Sequence, residues 1–204
     1  MYFRYTYTHM YIYQPTDNIA LVCVGIIMRL RLTLSIVLLI WLAYILHTGA
    51  IVFKLTNAVC ESYNKSWVVV HNCRLHAINR NKTIMNMNLT FLYPVSNIQV
   101  RLQLKKRANG YKPFLYDYTF DACEFMRKHN HPVVNVILNL IKDVSTVNHT
   151  CPYEGTQLLK NFYLRTEKMP VILPTGDYLL SLTWMFYRRK QFITDVYFNY
   201  VEDW

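Results

Sequence analysis

Hydrophobic and polar residues alternate with a period of two over much of the chain, the pattern of strands that bury one face. In residues 81–92, Met85, Met87, Leu89 and Phe91 fall on one side, with Asn86, Asn88 and Thr90 on the other. In 97–107, Ile98, Val100, Leu102 and Leu104 face in while Gln99, Arg101, Gln103 and Lys105 face out. Tyr178, Leu180, Leu182, Trp184 and Phe186 share a face in 176–187, and Phe192, Val196, Phe198 and Tyr200 share one in 191–201. Residues 53–60, 66–77 and 114–120 read as further strands. About seven strands, with turn chemistry at Asn109-Gly110 and at Pro174-Thr-Gly-Asp177, predict an all-β, immunoglobulin-like antiparallel β-sandwich.

Two stretches depart from that period. In 132–144, Val133, Val136, Ile137, Leu140, Ile141 and Val144 recur at helical spacing behind Pro132 in the first turn. Residues 122–129 read as helical too, so a short helical insertion is expected between Cys123 and Cys151. The second departure is at the N-terminus. Ile19 to Met28 is apolar, Arg29-Leu30-Arg31 interrupts, and Leu32 to Leu46 is almost continuously apolar. Begun at Met28, this is a signal peptide: Arg29 and Arg31 form its basic start, Leu32–Leu46 its apolar run, and Thr48-Gly49-Ala50 its cleavage site. Residues 1–27 then read as a non-native upstream extension, in which Tyr5 to Tyr13 has the look of a translated dinucleotide repeat. Residues 28–50 are the signal peptide and 51–204 the sandwich domain. The competing reading takes Met1 as the true start and 19–46 as a signal-anchor. Each arginine at the centre of such a span costs about 2.5–3.5 kcal/mol, which ranks the cleaved leader first.

Cysteine usage agrees with export. Cys23 lies in the leader, and Cys60, Cys73, Cys123 and Cys151 remain, an even number that implies two disulfides. Four cysteines allow three connectivities; nearness in sequence favours Cys60–Cys73 with Cys123–Cys151. Sequons for N-glycosylation stand at Asn64, Asn81, Asn88 and Asn148, all beyond the cleavage site. Among 204 residues, 53% are hydrophobic, 17% charged and only five are glycine, which excludes a disordered polymer and Gly-based phosphate cradles. Losing Arg4, Arg29, Arg31 and Asp17 with the first fifty residues lowers the net charge from +10 only to +8. A basic secreted protein suits an acidic partner, such as an anionic membrane surface or an extracellular receptor face, and nucleic acid is not expected.

Candidate chemistry is sparse. No G-x-S-x-G elbow occurs, the cysteines are expected to be oxidised, and Asp117, Asp121 and Asp177 have no spacing that implies acid–base work. No enzyme activity and no cofactor is expected. His71, His129, His131 and His149 lack a carboxylate at ligand spacing, so no metal is assigned. Arg101, Lys105, Lys106, Arg107 and Lys112, taken with Arg188, Arg189 and Lys190, form a basic set for anionic head groups or ligand carboxylates.

Four blocks carry a family resemblance. The stretch from Arg101 to Phe125 (RLQLKKRANGYKPFLYDYTFDACEF) resembles the signature of the insect domain of unknown function 1091 family (DM8). Residues 73–82 (CRLHAINRNK), 148–153 (NHTCPY) and 173–180 (LPTGDYLL) are similar to its other blocks. Together they span most of 53–201. The resemblance implies a small secreted fly protein; some relatives, the CheB group, are linked to contact chemosensation and pheromone response. It also implies kinship with the lipid-recognition (ML) superfamily, an ML-type sandwich that holds lipid between its sheets. Only the four cysteines transfer position by position. On this footing Met85, Met87, Leu89, Phe91, Val100, Leu102, Tyr178, Leu180, Leu182, Trp184, Phe186 and Phe198 are the candidates to line a ligand cavity. The expected function is binding of a lipid or other hydrophobic small molecule outside the cell. The alternative is an extracellular interaction module with a filled core.

Overall fold

The computed structural model describes residues 16–46, 51–80, 82–164 and 173–202. These fall into two units, one holding an N-terminal helix and the other, 49–203, the β-domain. Tyr5–Tyr13, the cleavage site at Thr48–Ala50 and the sequon residue Asn81 lie outside the described residues.

The first unit is α1, Thr16–Leu46, a single helix that runs through the Arg29-Leu30-Arg31 interruption. Its stretch Gly25–Tyr44 is long and apolar enough to cross a membrane, with mean hydropathy 2.1. A signal sequence has the same properties. Thr33 and Ser35 donate their hydroxyls back to the carbonyls of Arg29, Leu30 and Arg31, so the polar side chains in this apolar run are satisfied within the helix.

The second unit is built from β1 (Ile51–Ser62), β2 (Val68–Asn79), β3 (Lys82–Val95), β4 (Ile98–Ala108), β5 (Gly110–Asp121), β6 (Tyr153–Phe162), β7 (Gly176–Phe186) and β8 (Arg189–Glu202). Helices α2 (Ala122–Lys128) and α3 (Pro132–Ile141) lie between β5 and β6. A five-stranded sheet runs β1-β8-β7-β4-β5 and a three-stranded sheet runs β2-β3-β6, with every pairing antiparallel. The expected sandwich with a helical insertion is therefore present.

β6 is the strand that the hydrophobic pattern missed. Two left-handed residues, Gly155 (φ 69°) and Asn161 (φ 53°), break its alternation. Moreover, Gln157 occupies a buried position there, held by Thr146 and by the Glu154 carbonyl. The insertion also ends sooner than its periodicity suggests. α3 stops at Ile141, because Val144 has left the helix to accept from the Lys160 N–H along β6. Ser145 bridges to Leu159 beside it.

Local chemistry sets the helix ends. Asp121 caps α2 by accepting from the Glu124 N–H at 2.8 Å, and Glu124 pairs with Lys128 one turn on. His129 closes α2 in the left-handed conformation, donating its N–H to the Phe125 carbonyl. Pro132 then opens α3 with its fixed φ.

The β7–β8 connection is a two-residue turn in which both Tyr187 (φ 50°) and Arg188 (φ 63°) are left-handed. That is the backbone of a type I′ turn, a place where Asn-Gly is the usual choice because other side chains clash there.

Candidate functional site

Cross-strand rows place the candidates. Val100 of β4 sits between Phe120 and Trp184, Leu102 between Tyr118 and Leu182, and Leu104 beside Leu180. On β8 the same rows continue through Phe192, Thr194 and Val196. All twelve predicted residues lie on the inner faces of the two sheets, but they do different things there.

Eight of them are buried: Met85, Leu89, Phe91, Val100, Leu102, Tyr178, Phe186 and Phe198. They pack into two separate clusters, one toward each end of the sandwich. At one end Phe91 meets Phe186 edge-on at 5.0 Å, and Val68, Val95, Ile98 and Phe192 close around them. At the other end Tyr178 stacks on Phe198 at 5.3 Å, with Leu55, Leu104 and Tyr200. The remaining four, Met87, Leu180, Leu182 and Trp184, face inward yet keep accessible surface. In a fully packed sandwich the middle of the inner faces is the deepest place. Here the dip runs along β7, where Tyr178 and Phe186 are closed and Leu180, Leu182 and Trp184 between them are half-covered, beside a Leu102 that is only 1% exposed; Met87, Leu180 and Tyr116 border both clusters.

Sequence reasoning missed part of this middle strip. Tyr116 and Tyr118 of β5, Val196 of β8 and Leu75 of β2 belong to it, as do Ile137, Leu138, Leu140 and Ile141 of α3. α3 buries only Val134 completely; its other apolar residues stay half-covered. The helical spacing in 132–144 was the available signal, since an amphipathic helix inserted between two sheet edges has to lay its apolar side on what lies between them. Four polar atoms on the inner face of the five-stranded sheet, Tyr118 Oη, Trp184 Nε1, Thr194 Oγ1 and Tyr200 Oη, have no hydrogen-bond partner among the described residues. Burial raises the Tyr118 phenol above its ordinary pKa, with Tyr116 adding to the effect. A small recess of about 30 Å³, room for a water or two, opens near the Tyr178 end between Phe53, Leu55, Lys82, Thr83, Tyr163 and Leu164.

Both flanks of the sandwich are tied. Cys60 of edge strand β1 is bonded to Cys73 of edge strand β2. On the other flank, α2 leaves β5 and α3 leads to β6, and Cys123–Cys151 joins the start of α2 to the residue two before β6. The pairing favoured from sequence is the one observed.

The basic set read from sequence as one group is divided by the strand register. Lys106 pairs with Tyr178 at the start of β7, whereas Arg188 to Lys190 follow its end at Phe186. The set therefore occupies opposite ends, because β7 spans the whole sheet between them. Within the first group, Arg101 and Gln103 hold the Asp117 carboxylate at 2.9 and 2.8 Å, which pulls its pKa down to about 2, mainly through the Arg101 hydrogen bond. Lys106 Nζ lies 5.6 Å from the rings of Phe114 and Tyr178.

Of the sequons, Asn148 is exposed on the insertion. Asn64 is half-buried in the β1–β2 loop and accepts from the Ser66 N–H and hydroxyl. Asn88 is half-buried on the outer face of central strand β3, with its side-chain oxygen unpartnered. His129 and His131 both pack on Phe125, at 5.5 and 6.5 Å, and the others have different partners. His131 stacks on Tyr118 at 5.9 Å, His149 on Tyr153 at 4.3 Å, and His71 meets the Thr90 hydroxyl at 2.9 Å. No group of three His, Cys, Asp or Glu side chains comes together among the described residues.

Residues 100–180, from β4 through the insertion to the first half of β7, match the model of a family described as "Protein of unknown function (DUF1091)". No curated protein matches the chain.

Proposed function

We propose that this chain, whose residues 100–180 belong to the domain of unknown function 1091 family, is a secreted protein that binds a lipid or other hydrophobic small molecule between its two sheets. A role in chemosensation or pheromone response is the part of this proposal that rests on the resemblance to the CheB group alone. One observation carries it: along β7 the inward-facing Leu180, Leu182 and Trp184, with Met87 of β3, keep accessible surface between the closed residues Tyr178 and Phe186.

The strip from Met87 across Leu180 and Leu182 to the apolar side of α3 offers an apolar chain a dry contact surface. Each buried methylene is worth about 0.8 kcal/mol, so eight of them supply roughly 6 kcal/mol before ordering costs. Trp184 and Tyr118 are donors without partners, and an acceptor oxygen on an otherwise apolar ligand would relieve them. The two disulfides and the apolar N-terminal helix favour an extracellular setting for this chemistry.

Native mass spectrometry of the product made in insect cells tests the reading. Co-purified lipid, or uptake of an added long-chain ester or alcohol, is expected. Leu182→Trp, which fills the strip, is expected to abolish uptake without unfolding the domain. A species that stays dry with every apolar probe overturns the carrier reading. That result would leave an interaction module with a filled core, for which the eight fully buried candidates already speak.

A further inference from the structure

Three loops meet at the end of the sandwich nearest Phe186. Tyr63 and Asn64 donate their N–H groups to the Gln191 carbonyl, Leu92 donates to Trp67, and Tyr187 donates to Asn97, so residues 63–67, 92–97 and 187–190 form one joined surface. Trp67 is its centre, with Tyr93 at 5.3 Å and Tyr187 at 6.0 Å, ring to ring. Tyr63, Leu92, Tyr93 and Tyr187 are each about half exposed, at 46–53%. The three segments hold Lys65, Arg188, Arg189 and Lys190 and no acidic residue.

We propose that this end is a docking surface for an anionic lipid bilayer. Trp and Tyr are the side chains that suit the head-group layer, with an apolar ring and a polar tip, and the four exposed cations of the same segments are complementary to lipid phosphates and carboxylates, outnumbering the two carboxylates, Glu61 and Asp195, that act on Tyr63 nearby. The β7–β8 turn adds a second, independent argument. It places Tyr187 and Arg188, an aromatic and a cation, at two left-handed positions that Asn-Gly would occupy without strain. The chain keeps a strained turn that presents the two side chains this surface uses. A protein partner is the competing occupant. It is disfavoured because the space around Trp67 is filled by Tyr93, Tyr187 and Phe186, at 5.3, 6.0 and 6.3 Å, where an anchoring side chain would have to enter. The inference does not depend on whether anything binds between the sheets.

The test is vesicle co-sedimentation of the insect-cell product with its disulfides intact and its N-glycans removed enzymatically, because the sequon residue Asn64 lies on this surface. Phosphatidylcholine vesicles are compared with vesicles of phosphatidylcholine and phosphatidylserine at 70:30, in which phosphatidylserine serves as the probe of negative surface charge. Only product whose mass shows that residues 1–50 have been removed is compared, because the apolar leader would by itself hold the protein to every vesicle. Binding is expected to need phosphatidylserine and to weaken at high salt. Arg188→Glu/Arg189→Glu/Lys190→Glu and, separately, Tyr93→Ser/Tyr187→Ser are expected to lower it roughly ten-fold or more. Lys105→Glu/Lys106→Glu/Arg107→Glu, at the opposite end, should leave it within about two-fold. Absence of phosphatidylserine-dependent binding at low salt overturns the proposal. So does a loss that is equal for both charge-reversed ends, or binding to an acidic protein in place of vesicles. Circular dichroism on each variant shows whether it has folded, and the conservative Tyr93→Phe/Tyr187→Phe pair, which keeps the rings, should retain binding.

Discussion

The strained β7–β8 turn makes a prediction that runs against the usual effect of mutation. In Tyr187→Asn/Arg188→Gly both left-handed positions receive residues that tolerate them. An ordinary side chain in that region costs about 1–2 kcal/mol, so relieving two of them could contribute roughly 2–3 kcal/mol. Two losses offset this. Glycine gains about 0.5–1 kcal/mol more freedom in the unfolded chain. Removing the Tyr187 ring loses its edge contact with Trp67 at 6.0 Å, about 0.5 kcal/mol for a half-exposed pair. The net is a stabilisation of about 1 kcal/mol. In urea the midpoint should rise by roughly 0.5 M with an unchanged slope near 2 kcal/mol/M. On heating, the melting temperature should rise by about 2–4 °C for a domain of this size. The same variant should lose vesicle binding. A midpoint that stays put or falls would refute the strain argument and, with it, the case that the turn trades stability for its side chains.

Other predictions address the ties, the middle of the sandwich and acid stability. Breaking Cys123–Cys151, which closes 28 residues, should cost about 3.5 kcal/mol in denaturant unfolding, and breaking Cys60–Cys73, which closes 13, about 3 kcal/mol. Only the former should also reduce the helical signal in circular dichroism, since it alone staples α2 and α3. Leu89→Ala, at a site 1% exposed, should cost about 2–5 kcal/mol, while Leu182→Ala in the accessible strip should cost distinctly less. Equal losses in the two variants would mean that the middle is as tightly packed as the ends. Asp117, with its pKa lowered from 3.8 to about 2, supports the fold above pH 4, and that support is lost as pH falls toward 2. Asp117→Asn should therefore flatten the acid limb of the stability profile between about pH 4 and pH 2, measured by urea midpoints at each pH.

Much of the β-domain was legible because its strands obey a simple period. The inner faces of β3, β4 and β7 follow directly from Met85 to Phe91, Ile98 to Leu104 and Tyr178 to Phe186. The disulfide pairs followed from nearness in sequence. β6 was hidden because Gly155, Gln157 and Asn161 put a left-handed kink, a buried amide and a second kink where alternation would have shown. The candidate strip was half visible. Leucines and tryptophan on β7 declared their face, but periodicity assigns a side without saying how deeply it is covered. Depth depends on how far the partner sheet and α3 approach, which is a property of tertiary packing. The division of the basic residues was hidden for a similar reason, since distance along a strand becomes separation in space only once the strand is known to span the sheet.

The paired cystines have a consequence for traffic. Buttoned down both long sides, the layers cannot swing apart like the covers of a book. Transfer to a glutathione-rich cytosol would favour undoing both buttons, and would free the two layers to part.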